Sequence, residues 1–304
     1  MSDSFTVKFR GVRGGYPMPG STTVKVGGNT PCIEVRAGGH LLIVDAGTGI
    51  ISLGQDIVAQ HRATGEPMYV TILMTHTHHD HTQGFPFFLP ARNSRCTLYI
   101  FGPKLLEEDL QGVLARAMAP PVFPLGLEEL NSQRHIRHIR QGDIIVLTDP
   151  AAPPQLLGLN DDQSQVPADA VTVRVQLSYN HPLGGVLIFR ISYRGRCAVV
   201  ATDTEGYVGG DRRLAQFVHG ADLLIHDAEY DEDEYADQSV IRQGWGHSTW
   251  RMATDVARIA GVKRLALFHH NPGHDDTFLE NMERKAQAVF PGAFIAREGM
   301  AVEL

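Results

Sequence analysis

Thr75-His76-Thr77-His78-His79-Asp80-His81 is the stretch whose reading decides the rest, because it crowds four imidazoles and a carboxylate into one loop. It follows Tyr69-Val70-Thr71-Ile72-Leu73-Met74, an apolar run of strand length rich in β-formers, so the histidines are expected at the C-terminal end of a buried strand. Imidazole and carboxylate together are the donors that borderline divalent ions such as zinc choose, and looped backbone lets residues two apart reach one ion. His76 and His78 are therefore expected to share one metal, with Asp80 and His81 addressing a second. His79 is out of phase with these and is expected to face solvent or support the site from behind. A solvated polar turn is the plain alternative.

The chain around this loop is ordinary for a globular protein: 304 residues, 43% hydrophobic and 20% charged, with no repeat or low-complexity tract. No run approaches the 18 or so apolar residues of a membrane span. The start, Met1 to Arg10, lacks a basic segment followed by an apolar one, so a cytoplasmic protein is expected. Cys32, Cys96 and Cys197 are odd in number and far apart, which argues against disulfides and thiolate metal sites and for small core residues. A net charge of −7 disfavours a protein whose main work is gripping nucleic-acid backbone. A small anionic substrate stays open, because bound cations supply positive charge that a residue count omits.

Alternating Phe5, Val7 and Phe9 predict a strand, followed by a Gly/Pro-rich loop from Gly11 to Gly28. Strands are expected at Cys32–Ala37 and Leu41–Asp45 around Gly38-Gly39. Ile50, Leu53, Ile57 and Val58 have helical spacing, and Leu105, Leu106, Leu110, Val113 and Leu114 predict a helix after Pro103. Further strands are expected at 171–177, 185–193, 197–201, 223–226, 264–268 and near Phe294 and Val302, and helices at 249–259 and 276–289. Residues 119–169 are the least regular part, expected as an insertion, edge loop or lid within one domain spanning 1–304 and a place where substrate choice could be hidden. Two halves of sheet plus helix imply two sheets packed together with helices outside.

Two metals need more ligands than one loop provides. Three later apolar runs also end in His or Asp: Val175–Asn180 before His181, Cys197–Thr202 before Asp203, and Arg264–Phe268 before His269. Any one alone reads as an ordinary strand-end residue, and together with the first loop they form a pattern. The order His76-x-His78-x-Asp80-His81, His181, Asp203, His269 resembles the metallo-β-lactamase superfamily over nearly the whole chain. That resemblance implies an αββα sandwich with two divalent ions at one edge. His76, His78 and His181 would hold one ion, Asp80, His81 and His269 the other, and Asp203 would bridge them. A carboxylate bridge suits ions about 3.5–4 Å apart. Asp45, before Ala46-Gly47-Thr48-Gly49, matches a further superfamily motif and would accept a ligand histidine's other N–H; a strand-end Asp opening a turn is the competing reading. Strand alternation favours His269 over His270 as ligand, and His274 either lines the site or merely opens the following helix.

His247-Ser248-Thr249 resembles the His-Ser-Thr segment of the ribonuclease Z and cyclic-phosphodiesterase branch, which implies that His247 contacts the scissile phosphate and protonates the leaving oxygen. A helix N-terminus is a natural neighbour for phosphate, and Ser248 or Thr249 can cap it. Asp227 is the candidate to orient His247. Ala201-Thr202-Asp203-Thr204 and Gly27–Cys32 resemble phosphodiesterase loops of the same branch, and His78 stands where oxygen-reducing relatives carry Glu. The implied function is hydrolysis of a cyclic nucleotide or other small phosphodiester, with Asp80 also a candidate to take the water's proton. Zinc, manganese or iron all suit the donors. A lactone or carboxylic-ester hydrolase is the alternative, a transfer RNA 3′ endonuclease a further one, and a metal-bound scaffold without turnover a third. Ribonuclease Z grips transfer RNA through a long basic arm, whereas the corresponding stretch Lys104–Asp109 reads as acidic and helical; nucleic acid is therefore not the expected partner. The basic run Arg134–Arg140 reads as a charged edge strand, and Phe85, Phe87 and Phe88 read as core residues that could otherwise stack a base. A homodimer is implied by the resemblance alone.

Overall fold

In the computed structural model, which describes residues 4–104 and 108–304, the chain builds one sheet, then a second, and returns to the first with its last strand. The first sheet holds β1 (Phe5–Gly11), β2 (Cys32–Ala37), β3 (His40–Val44), β4 (Met68–Leu73), β5 (Cys96–Pro103) and β6 (Gln133–Ile139). The second holds β7 (Ile144–Leu147), β8 (Gln155–Leu157), β9 (Val171–Ser178), β10 (Val186–Tyr193), β11 (Arg196–Ala201), β12 (Leu223–Asp227), β13 (Arg264–Phe268) and β14 (Ala293–Ile295). β15 (Ala301–Glu303) then pairs with β1. The helices are α1 (Gly49–Thr64), α2 (His79–Thr82), α3 (Leu110–Ala117), α4 (Arg212–Phe217), α5 (Glu232–Ala236), α6 (Trp250–Ala260) and α7 (Asp276–Val289).

Burial explains the layers. Val7, Phe9, Val35 and Phe101 of the first sheet share one core with Val173, Phe189 and Phe268 of the second. Behind the first sheet, Ile50, Leu53 and Ile57 of α1 and Leu114 of α3 cover Ile72 and Leu98 in a second cluster. Behind the second sheet, α6 turns Ala253, Val256 and Ala257 inward. Its ends are set locally: Thr249 Oγ1 accepts the Met252 N–H, and Gly261 closes the last turn at φ 62°. The result is the αββα sandwich. β12 is buried at every position, as a central strand covered on both faces must be. No helix among the described residues is long and apolar enough to cross a membrane.

Strand direction puts the chemistry at one edge. β3, β4, β5 and β6 run parallel in the first sheet, and β11, β12, β13 and β14 run parallel in the second. β9 is antiparallel to β10, which is antiparallel to β11, so β9 and β11 also end on the same side. Asp45, His76, His181, Asp203, Asp227 and His269 all lie at or just beyond the C-terminal ends of these strands.

Several expectations change here. Residues 119–169 include β6, β7 and β8, which form the edge of one sheet and the start of the other. The proline-rich composition hid the short strands β7 and β8. The helix after Pro103 begins at Leu110, capped by Asp109; Leu105 and Leu106 lie outside the described residues. Of the run Arg134–Arg140, all but Arg140 sits on the edge strand β6. Phe85 and Phe88 are core, while Phe87 is half-exposed with its ring edge-on to Phe123. The cysteines are free and buried. Ile225 lies at the centre of β12 with no exposure, so Ile225→Ala should cost roughly 2–5 kcal/mol and lower the urea midpoint accordingly.

Candidate metal centre

At the sandwich edge the donors form two adjoining groups. His76, His78 and His181 form one, and Asp80, His81, Asp203 and His269 the other, with the donor atoms of each group within 4.8 Å of one another. In the first, His78 Nδ1 faces His181 Nε2 at 3.1 Å. In the second, His269 Nε2 lies 3.2 Å from Asp80 Oδ2 and 3.2 Å from Asp203 Oδ1, and His81 Nε2 lies 3.2 Å from Asp203 Oδ2. Asp203 Oδ1 is also 3.7 Å from His76 Nε2, so this carboxylate stands between the two groups. His76 Nε2 is buried with no hydrogen-bond partner. A buried acceptor aimed at facing imidazoles and carboxylates is the environment of a cation ligand, and the nitrogen-oxygen donor set fits divalent ions.

Surrounding groups fix how these rings are turned. Asp45 accepts the His81 Nδ1–H at 2.8 Å and the Thr75 backbone N–H at 2.8 Å. Thr75 Oγ1 donates to Asp45 Oδ2 at 2.8 Å, which leaves the hydroxyl oxygen to accept from His76 Nδ1 at 3.1 Å. One buried carboxylate thus sets two imidazole tautomers, one directly and one through a hydroxyl. His181 Nδ1 donates to the Gly246 carbonyl at 3.2 Å. Asp80 Oδ2 accepts the Gly15 N–H at 2.9 Å, so the glycine-rich loop after β1 aims it. Close packing demands glycine at two points: a Cβ on Gly14 would lie 2.3 Å from His269 Cε1, and one on Gly246 would lie 2.3 Å from His181 Nδ1.

The backbone itself is unusual here. Asp45, Asp203 and His269 have φ of 62°, 53° and 62°, a left-handed conformation that non-glycine residues seldom adopt. Each costs of order 1–3 kcal/mol and persists only where the surroundings over-determine it, and such outliers gather at functional sites.

His247 borders both groups. A ring nitrogen of His247, one of His181 and an oxygen of Asp203 lie within 4.8 Å of one another. Its Nδ1–H donates to Asp227 Oδ2 at 2.8 Å, and Glu229 Oε2 is 3.3 Å from the same nitrogen. Burial opposes charge on this ring, but Asp227 and Glu229 outweigh it and its pKa is pushed up to about 9. Asp227 also accepts the backbone N–H groups of Asp203, Glu229 and Ser248 at 3.1, 3.2 and 2.8 Å, tying β11, β12 and the start of α6 together. Burial likewise opposes charge on His81 and His269, yet Asp203 leads the neighbours that hold both above the ordinary histidine range. Burial and then the neighbouring His81 push His76 well below it.

His79 is exposed. His270 is buried, and its Nε2 donates to the Ala296 carbonyl at 3.0 Å. His274 Nε2 binds Glu234 at 2.8 Å and its ring stacks on Phe278, so its role is to hold α5 and α7 together. Three groups escaped the sequence reading: Glu229, Gly15 and Thr75. Glu229 carried one signal, its alternation with Asp227 past the end of β12; its Oε2 lies 3.2 Å from His269 Nδ1. The cleft over the site, about 370 Å³, is framed by Gly15, Pro182, Tyr230, Gly244 and Trp245. None of the described residues of 119–169 lines it.

Comparison with known proteins agrees with this geometry. Residues 40–270 match the family model described as a beta-lactamase superfamily domain. A curated relative, Ribonuclease Z of Synechococcus sp., is 28% identical over 262 residues, covering 77% of this chain and 81% of that protein. Among solved structures, the metallo-beta-lactamase fold protein YhfI from Bacillus subtilis has a TM-score of 0.67 at 19% identity, over 99% of this chain and all of the other. A diphosphatase of the PhnP family has a TM-score of 0.64 at 16% identity, over 99% and 98%.

Because Asp45 sets the His81 and His76 tautomers, Asp45→Asn should weaken metal binding by roughly 10–100-fold. Asparagine tolerates the left-handed backbone, so circular dichroism should stay native. Metal content after dialysis against graded chelator measures the loss, and wild-type retention would remove Asp45 from the site.

Proposed function

The chain belongs to the beta-lactamase superfamily, in its ribonuclease Z-like branch, and from that premise we propose that it hydrolyses a small phosphodiester, a cyclic nucleotide or similar compound, with two divalent ions. The observation that carries the reading is His247, held by Asp227 and turned toward the Asp203 cluster. A carboxylic-ester or lactone hydrolase needs the metal set but no such acid beside it.

His76, His78 and His181 would hold one ion and Asp80, His81 and His269 the other, with Asp203 between them. When bound, the ions supply an activated water nucleophile and neutralise phosphate charge; zinc, manganese and iron all suit the donors. The chain's own residues do the remainder. Asp45 and Thr75 keep His81 and His76 turned inward. Asp80, aimed by Gly15, is the carboxylate suited to receive the proton released by the attacking water. Asp227 occupies Nδ1 of His247, so the other ring nitrogen is the one that gives its proton to the leaving oxygen. An oxygen–phosphorus bond forms from water as the ester bond breaks, and the products are a phosphomonoester and an alcohol.

The ribonuclease Z relatives favour a second reading, cleavage of a transfer RNA precursor, and weaken the expectation that nucleic acid is not the partner. Two observations favour the smaller substrate. Only six residues separate Pro103 of β5 from Leu110 of α3, which leaves no room for a long RNA-gripping arm. The cleft of about 370 Å³ is at the low end of the roughly 300–1,000 Å³ usual for small-molecule sites.

Metal-loaded protein offered 3′,5′- and 2′,3′-cyclic nucleotides, bis-p-nitrophenyl phosphate, a lactone and a transfer RNA precursor should hydrolyse the phosphodiesters. Turnover of lactone alone would sink the proposal, and turnover of the RNA alone would favour the second reading. His247→Ala should retain both metals and lose roughly 10²–10⁴ in rate on a cyclic nucleotide, whose alkoxide needs a proton. The loss should be much smaller for the p-nitrophenyl ester, whose leaving group departs unprotonated.

A further inference from the structure

The loop between α5 and α6 forms one wall of the cleft, and the proposed chemistry uses only its end, at His247. Its backbone is clamped by a carboxylate two residues beyond Asp203. Glu205 Oε1 and Oε2 each accept from the Gly244 N–H at 2.9 Å, and Oε2 accepts from the Gly246 N–H at 3.0 Å. The Tyr235 hydroxyl donates to Oε1 at 2.5 Å. Gln243 Nε2 donates to the Tyr235 carbonyl and Arg242 Nη1 to the Glu234 carbonyl. The Arg242 guanidinium also sits 5.5 Å from the centre of the Tyr230 ring. A loop tied at so many points holds its side chains in place before a ligand arrives, which lowers the ordering cost of binding.

What the loop presents is Trp245. Trp245 lines the cleft and is 52% exposed, whereas Trp250, at the start of α6, is 5% exposed. No ring packs on Trp245 among the described residues. Core packing therefore does not account for it. Pro182 and Tyr230 line the same cleft, together with His78, Asp80, Asp203, His247 and His269 of the donor cluster. A large rigid ring in a preformed loop, in the same cleft as the donor cluster, is suited to the flat face of an aromatic group carried by a phosphate.

We propose that Trp245 is a stacking wall for a planar aromatic group, a nucleobase or aryl ring, attached to the phosphate. The inference rests on the phosphodiester reading for the identity of the anion, and it adds the class of substituent that the site selects.

The test uses metal-loaded full-length protein titrated with adenosine 5′-monophosphate, phenyl phosphate and ribose 5-phosphate, followed by tryptophan emission and by calorimetry. Both aromatic ligands should quench the exposed indole and bind about tenfold or more tightly than ribose 5-phosphate. If only the nucleotide does so, the wall is for a nucleobase; if phenyl phosphate does equally well, it is for any aryl ring. By calorimetry, Trp245→Ala should abolish the preference and Trp245→Phe should keep most of it. Ribose 5-phosphate binding to Trp245→Ala reports that the site still folds. Equal affinity of all three ligands for the wild type, or full preference in Trp245→Ala, overturns the proposal. Aromatic preference in a protein that cleaves no diester would sink the phosphodiesterase reading and leave the wall standing. Diester cleavage without the preference would do the reverse.

Discussion

Asp203 is a carboxylate with almost no access to water, placed within 3.7 Å of nitrogens from His76, His81 and His269. Taking ionisable groups out of water costs several kcal/mol for each, and that cost is offset only by partners held in good geometry. The rest of the edge can be understood as the supply of those partners. Asp227 holds the Asp203 backbone and His247 with one carboxylate, Asp45 turns His81, and Gly15 aims Asp80. The left-handed backbone of Asp45, Asp203 and His269 belongs to the same economy, since each strand has to stop abruptly and project a polar group sideways.

Two parallel half-sheets make this possible. In each, neighbouring strands end at the same level, so groups distant in the chain meet where the strands stop. The linking elements then serve as supports: α6 starts at Thr249 just past His247, and the α5–α6 loop is drawn against the cleft by Glu205. A chain of net charge −7 accordingly gathers acidic groups around histidines at one edge, a distribution that bound cations balance locally.

The sequence was most legible where physics is local. Apolar alternation located most strands, because one face or both must leave water, and the His-rich loop showed its donor chemistry directly. It was least legible where partners come from afar. β7 and β8 are strands of four and three residues in a proline-rich stretch, and pairing of β7 with β9 and of β8 with β7 is what makes them strands. His274 could by position either line the site or open the following helix, and it pairs with Glu234. Glu229 and Glu205 drew no reading from the sequence, and only the folded chain brings the first to His269 and the second to the Gly244–Gly246 backbone.

By itself, then, the sequence determined the sandwich and the kinds of donor at its edge, since hydrophobic period and residue chemistry are written in the chain. Tertiary structure alone decided which atoms face each other: which imidazole nitrogen is free, which carboxylate holds His247, and which aromatic ring lines the cleft. Those choices depend on contacts between residues far apart in the chain, such as Asp80 and His269, 189 positions apart, and on backbone angles that no local pattern encodes.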